Sequence, residues 1–360
     1  MEFTNLKKQQ ELIKEDLNSR IQQVLSHGQY IMGPEVAELE IALSNYVETD
    51  YCVTVSSGTE ALLISLMAIG IKPGDEVITT PFTFISTAEV IVLLGAIPVF
   101  ADIEADTACI DALKIEPLIT ANTKAVMPVS IFGQPSDMDK INQIASSNDI
   151  IVIEDAAQSF GATYKNKKSC NLSHIGCTSF FPSKPLGCYG DGGAIFTNNS
   201  EIAETARAIR IHGQKQRYIH TIVGVGGRMD TLQAAIVLAK LKYFEKEIDQ
   251  RQTIGNRYND LIDSMGIQRI QQRSEVASTF AQYTIQLDER DQVQAYLKQE
   301  GIPTAVYYPI PLNQQPAYSQ FNNNTPIAEA LSKRVLSLPM GPYLTQQEQD
   351  QVLYGLTQAF

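Results

Sequence analysis

Between residues 51 and 153, short apolar runs alternate with longer stretches of helical periodicity, and no other feature restricts the possible folds as much. The runs are 51–55, 76–79, 98–100, 125–129 and 150–153, and the helical stretches are 60–69, 87–94, 110–119 and 138–147. Strands that are apolar throughout, not alternately, must be covered on both faces. Strands joined by helices pair in parallel through crossovers. The expected fold class is therefore α/β, a mostly parallel sheet flanked by helices. Two further runs, 177–180 and 193–197, have no long helix between them. They are expected to be neighbouring strands joined by a functional loop.

The flanking regions extend this plan. The first thirty residues carry apolar positions (Leu12, Ile13, Leu17, Ile21, Val24, Leu25) at helical spacing, ending near His27-Gly28. Gly33-Pro34 opens a second helix, 35–46, with Pro at the first turn where its missing N–H costs nothing. A long helix is expected over 228–261. Beyond it the chain becomes rich in Gln and Glu, punctuated by Gly266, Gly301 and Pro303. This texture reads as a smaller α+β domain, dividing the chain into a large domain over 1–250 and a small one over 251–360.

Charge narrows the function classes. Forty acidic against 28 basic residues give a net charge of −12, which repels phosphate backbones and argues against nucleic acid as a partner. A phosphate-bearing ligand would need local donors instead of a general positive field. Five cysteines at 52, 109, 170, 177 and 188 have no framework-like spacing and read as reduced thiols of a cytoplasmic protein. The opening residues lack an apolar core of the secretory type, and the apolar run 88–100 is too short, and too interrupted by Gly95 and Pro98, to span a membrane.

Three segments carry chemistry. In the first, the apolar strand at 150–153 ends in Glu154-Asp155-Ala156-Ala157-Gln158-Ser159. Ligands of parallel sheets bind at the carboxyl ends of strands, so a functional acid belongs here. Successive strand residues face opposite sides, so the two carboxylates cannot share one task. One of them capping the following turn is an equally good reading of this segment alone. The second segment is Ser179-Phe180-Phe181-Pro182-Ser183-Lys184-Pro185-Leu186-Gly187. Prolines on both sides stiffen the backbone around Lys184, and an apolar setting disfavours its charged form, as an amine nucleophile requires. Most lysines in loops merely reach for solvent. The third is Ser56-Ser57-Gly58-Thr59-Glu60-Ala61, between the first strand and its helix. Free N–H groups at a helix start make an anion site, although an ordinary helix cap has the same composition. A phosphate cradle, a buried acid and a buried lysine together are what pyridoxal phosphate (PLP) requires.

Competing constellations are weaker. Cys170, His174 and Cys177 lack a second cysteine pair, so structural cysteines are expected and no metal. Gly224-Val225-Gly226-Gly227 has Met229 where a dinucleotide fingerprint needs its third glycine. No Gly-x-Ser-x-Gly elbow is present. Arg207, Arg210 and His212 read as a solvated face or subunit contact.

The matching stretches Gly33-Pro34-Glu35-Val36, Ser57-Gly58-Thr59-Glu60-Ala61-Leu62, Pro73-Gly74-Asp75-Glu76-Val77, Glu154 to Ser159, Ser179 to Lys184 and Gly190-Asp191-Gly192-Gly193-Ala194 give the chain a further context. Over nearly its whole length it resembles the DegT/DnrJ/StrS group of sugar aminotransferases. Ser183 to Gly190 and Pro309-Ile310-Pro311-Leu312-Asn313 resemble those members that aminate UDP-2-acetamido-2-deoxy-3-oxo-glucuronate for O-antigen and other surface polysaccharides. The resemblance implies the type I fold of PLP enzymes and a homodimer with shared active sites. It implies L-glutamate as amino donor, Lys184 as the Schiff-base lysine and Asp155 as partner of the pyridine nitrogen. Gln158 would lie near the phenolic oxygen, Phe84 would stack on the ring, and Gly58, Thr59 and Ser179 would hold the phosphate. Arg228, Tyr307, Tyr308 and Tyr30 would meet the sugar. Two positions depart from the family pattern: Gly226, where relatives have an Asn that reaches the neighbouring subunit's phosphate, and Tyr307, where close relatives have His. A dTDP- or UDP-linked 3-keto or 4-keto 6-deoxyhexose is the alternative substrate. A PLP-dependent sugar deoxygenase is disfavoured because those relatives replace the lysine with His, and a non-enzymatic regulator is a further alternative.

Overall fold

The computed structural model describes residues 1–321 and 323–359. Seven strands form the central sheet: β1 (Tyr51–Val55), β2 (Glu76–Thr79), β3 (Ile97–Phe100), β4 (Thr123–Met127), β5 (Ile151–Asp155), β6 (Ile175–Ser179) and β7 (Gly193–Thr197). Their order across the sheet is β1-β7-β6-β5-β4-β2-β3. Pairings β2/β3, β2/β4, β4/β5 and β5/β6 are parallel, whereas β7 runs antiparallel to both β6 and β1. β6 and β7 are adjacent and joined without a helix, as expected for the ends of a functional loop.

The sheet is buried on both faces. One face packs Val53, Val55, Val77, Met127 and Ile153 under the helices Gly58–Ala68 and Ser200–Arg210. Beyond the opposite face, Phe160, Phe180, Phe196 and Phe244 form an aromatic core with the N-terminal helices and the long helix Thr231–Ser264. That helix also enters a second core: Ile254, Tyr258 and Ile262 pack with Tyr283, Ile285, Leu336, Leu338 and Leu356. A small antiparallel sheet, Gln268–Arg269, Tyr283–Gln286 and Val335–Leu338, carries this second core.

Three sequence expectations differ from the structure. The 110–119 stretch holds two short 3-10 turns, Ala112–Lys114 and Glu116–Leu118, instead of a helix. Asp111 caps the first turn through Leu113 N–H at 2.9 Å, and Pro117 has no N–H with which to extend an α-helix. The N-terminal helix is split into Leu6–Leu12 and Lys14–His27. The interruption lets Gln9 donate to both carboxylate oxygens of Glu247 at 2.9 Å while Leu17 and Val24 stay buried. The second helix ends as expected at Gly28, in the left-handed conformation (φ 69°) that glycine tolerates. Finally, Arg210 is no solvated residue: it is 4% exposed and donates to Glu40 at 2.5 Å and to the Thr54 carbonyl at 2.7 Å.

Candidate active site

A cavity of about 550 Å³ opens at the carboxyl ends of the parallel strands, a volume ordinary for a small-molecule site. The three segments singled out in the sequence meet there, because strand order brings the ends of β1, β5 and β6 together.

The phosphate-type cradle forms at the end of β1. Ser57 caps the following helix by accepting from Glu60 N–H at 3.0 Å, while the N–H groups of Gly58 and Thr59 have no protein partner among the described residues. A helix start of this kind attracts anions through its free donors and its dipole. Ser179, at the end of β6, lies against Gly58 so closely that a Cβ on Gly58 would be 2.6 Å from the Ser179 Cβ. Gly193 begins β7 between them, paired with both Val55 and Ser179. The Thr59 hydroxyl is positioned by the Ser86 hydroxyl at 2.8 Å.

The acid lies at the end of β5. Strand alternation sends Glu154 away from the cavity, where it accepts from Ser130 Oγ, Ser169 Oγ and Cys170 N–H. Asp155 faces the cavity. Its carboxylate accepts from Thr87 Oγ1 at 2.8 Å and Ala157 N–H at 3.2 Å. Among the described residues no Lys, Arg or His comes within ion-pair distance of it. Burial pushes the Asp155 carboxyl up, opposed by Thr87, Ala157 and the charge on Lys184. A buried carboxylate with only neutral donors invites a cationic hydrogen-bond donor from a ligand.

The lysine lies on the β6–β7 loop. Phe180 N–H donates to Gly192, Cys188 N–H to Phe180, and Lys184 N–H to Phe181, so the loop folds back on itself. Gly187 makes that possible: a Cβ there would lie 2.6 Å from the carbonyl oxygens of Phe181 and Pro182. Lys184 lines the cavity, and its surroundings lower its pKa through desolvation, partly countered by Asp155. The neutral amine, a nucleophile and a base, is thereby favoured.

The model of the DegT/DnrJ/EryC1/StrS aminotransferase family matches residues 11–357. The chain belongs to this family. The UDP-2-acetamido-2-deoxy-3-oxo-D-glucuronate aminotransferase of Pseudomonas aeruginosa is 54% identical over 96% of this chain and 96% of its own length. A family aminotransferase from Brucella abortus has a crystal structure with a TM-score of 0.97, at 39% identity and 99% coverage of both chains. NtdA of Bacillus subtilis, solved with bound cofactor PMP, has a TM-score of 0.90 at 32% identity, covering 96% of this chain and 82% of that one. The present aminotransferase accordingly has the type I fold of PLP enzymes and uses that cofactor, and the cradle, the unpaired acid and the amine of its cavity fit the group.

The aminotransferase's cavity wall includes Gly58, Thr59, Phe84, Asp155, Gln158, Ser179, Lys184, Tyr307 and Tyr308, all of them singled out in the sequence. Phe84 is 59% exposed at the cavity. Tyr30 and Arg228 do not line it. They sit on neighbouring strips, where Ile31 pairs with Asp230 and Tyr30 accepts from Thr231 N–H at 2.9 Å. Within one chain these strips do not reach the pocket. Thr87 and Gln282, by contrast, line the cavity without any sequence signal that marks them. Thr87 is a helix residue 68 positions before its carboxylate partner, and nothing local marks it. Among the described residues no group of three or more His, Cys, Asp or Glu is placed to hold a metal, all five cysteines are buried and unpaired, and no helix is long and apolar enough to cross a membrane.

Proposed function

We propose that this aminotransferase moves an amino group from L-glutamate to the 3-keto carbon of UDP-2-acetamido-2-deoxy-3-oxo-glucuronate, in the cytoplasm, on a route to surface-polysaccharide amino sugars. The 54% identity to the P. aeruginosa enzyme with that substrate supports the choice. The observation that carries the chemistry is Lys184 and Asp155 facing one cavity, neither with an ion-pair partner among the described residues. When bound, PLP supplies a protonated pyridine ring that serves as an electron sink.

The chain's own residues have separate tasks. Asp155, braced by Thr87 and the Ala157 N–H, would hold the proton at the pyridine nitrogen. The Gly58 and Thr59 N–H groups, with the Thr59 and Ser179 hydroxyls, would hold the phosphate. Phe84 would cover the cofactor ring, and Gln158 would donate to its phenolic oxygen. Lys184 would hold the cofactor covalently and move a proton at Nζ, a task suited to an amine whose charged form burial disfavours. Tyr307 and Tyr308 face the sugar.

A homodimer with shared sites accounts for Tyr30 and Arg228, which would reach the partner copy's sugar. The exposed apolar residues Tyr30, Ile31 and Met32, together with Ile219, Ile222 and Val223, support such an interface. The two cores joined by the helix Thr231–Ser264 support a large domain over 1–250 and a small one over 251–360.

The test is spectroscopic and chemical. The purified protein should carry a visible absorbance band that disappears when L-glutamate is added, and Lys184→Ala should lose both band and turnover. A Lys184→Ala enzyme that still turns over refutes the assignment, and a protein that takes up no PLP points to a regulator. A panel of UDP- and dTDP-linked 3-keto and 4-keto sugars decides the substrate; preference for a 6-deoxyhexose would displace the uronate.

A further inference from the structure

The Gln158 side chain is gripped at both ends of its carboxamide by aromatic residues with unusual backbones. Phe132 has φ 55° and ψ 10°, and Tyr308 has φ 60°. Bulky residues rarely occupy this left-handed region, and strain of this kind persists only where the surroundings enforce it. Phe132 N–H donates to Gln158 Oε1 at 2.7 Å, and Gln158 Nε2 donates to the Tyr308 hydroxyl at 2.7 Å. A backbone N–H cannot accept a hydrogen bond, so the amide atom facing Phe132 must be the oxygen. Nε2 therefore faces Tyr308, an orientation fixed by the chemistry of donor and acceptor. One Nε2 proton goes to Tyr308. The other has no protein partner among the described residues, and both side chains line the cavity.

The strain is held by contacts from distant parts of the chain. Phe82 packs edge-on against both rings, with centroids 6.0 Å from Phe132 and 5.6 Å from Tyr308. Gly133, next to Phe132, has φ 104°, and its carbonyl accepts from Thr279 N–H at 2.9 Å and Ser278 Oγ at 3.0 Å. Thr279 Oγ1 also donates to the Gln158 carbonyl at 3.0 Å. Phe132 and Tyr308 thus contact the amide directly, while Phe82, Ser278 and Thr279 hold those two residues, Gly133 and the Gln158 backbone in place.

We propose that Tyr308 is a positioning residue whose hydroxyl fixes the Gln158 carboxamide so that its second Nε2 proton is presented to an oxygen of the bound cofactor. This rests on the reading above that Gln158 meets the phenolic oxygen. A donor at that oxygen disperses its negative charge and lowers the basicity of the nitrogen beside it. The pH midpoint of the visible band therefore sits lower with the donor in place than without it.

The experiment titrates the visible band of the PLP-loaded protein and of Tyr308→Phe, Gln158→Met and the double variant. Tyr308→Phe keeps the ring and its packing on Phe82 and removes only the acceptor. It should raise the midpoint by roughly half a pH unit or more, Gln158→Met should raise it at least as far, and the double variant should match Gln158→Met, because Tyr308 acts through Gln158. If Tyr308→Phe leaves the midpoint in place while Gln158→Met moves it, or if the two shifts add, the clamp is overturned and the cofactor contact stands. If Gln158→Met leaves it in place, the contact itself fails, and with it the purpose of the clamp. Melting temperatures of the cofactor-free variants separate a lost fold from a misplaced amide.

Discussion

Replacing Thr87 with valine tests the electrostatic core of the site with almost no change of shape. The Thr87 hydroxyl uses its only proton on Asp155 Oδ2 at 2.8 Å, so Thr83, 3.2 Å away, must be the donor in their mutual contact. Thr87 is 0% exposed and Asp155 6%, so the bond lies almost wholly out of bulk solvent. A hydrogen bond to a buried charged group contributes about 1.5–3 kcal/mol. With Asp155 as the proposed partner of the pyridine nitrogen, Thr87→Val should weaken PLP binding by roughly 10- to 150-fold. Loss of a donor also pushes the Asp155 carboxyl further up. An acid whose folded pKa lies above its unfolded value destabilises the fold as pH rises through that window. The cofactor-free variant should therefore lose most stability at neutral pH and recover toward the parent as the solution is acidified. Absorbance titration of cofactor-free protein with PLP at pH 7.5, with parallel melting curves from pH 5 to 8, reads both effects. An affinity within ~3-fold of the parent, less than 1 kcal/mol, would refute the role of Thr87 in holding the acid.

Two other perturbations reach different parts of the molecule. Gly58→Ala should separate the two halves of the proposed phosphate cradle, because its Cβ would stand 2.6 Å from Ser179 Cβ and 3.2 Å from Ser179 Cα; overpacking of this kind costs about 1–3 kcal/mol, and PLP titration should show at least ~5-fold weaker binding. Lys240 is 2% exposed, with its amine 4.3 Å from the centre of the Tyr189 ring, and burial lowers its pKa to about 8 from 10.5. The folded state then binds fewer protons than the unfolded between those values, so the charge penalty is complete below pH 8 and relieved as pH rises toward 10.5. Measured against Lys240→Met, the parent should gain up to roughly 3 kcal/mol over that window; a stability difference independent of pH would contradict the burial argument.

Much of this site was legible in the sequence because its main groups occupy places that local rules specify. Asp155 follows an apolar strand, Lys184 is fixed between two prolines, and Gly58-Thr59 opens a helix directly after a strand. Each position can be recognised from its neighbours in the chain. Arg210 differs for the converse reason: a helical stripe of cations looks solvated until the tertiary fold brings Glu40 and Thr54 over it. The 110–119 stretch had helical periodicity, but Asp111 and Pro117 favoured short turns.

The sequence by itself determined the strand–helix alternation, the burial of both sheet faces, the loop-borne lysine and the separation of Glu154 from Asp155, since all of these follow from side-chain periodicity and backbone chemistry over a few residues. Only the tertiary structure decided that Thr87 braces Asp155, that Gln282 joins the cavity wall, and that Phe132 and Tyr308 grip Gln158 from opposite ends. Those contacts depend on the order β1-β7-β6-β5-β4-β2-β3 and on how the C-terminal segments dock over it. Periodicity reports which face of an element is buried, and it carries no information about which distant element covers that face.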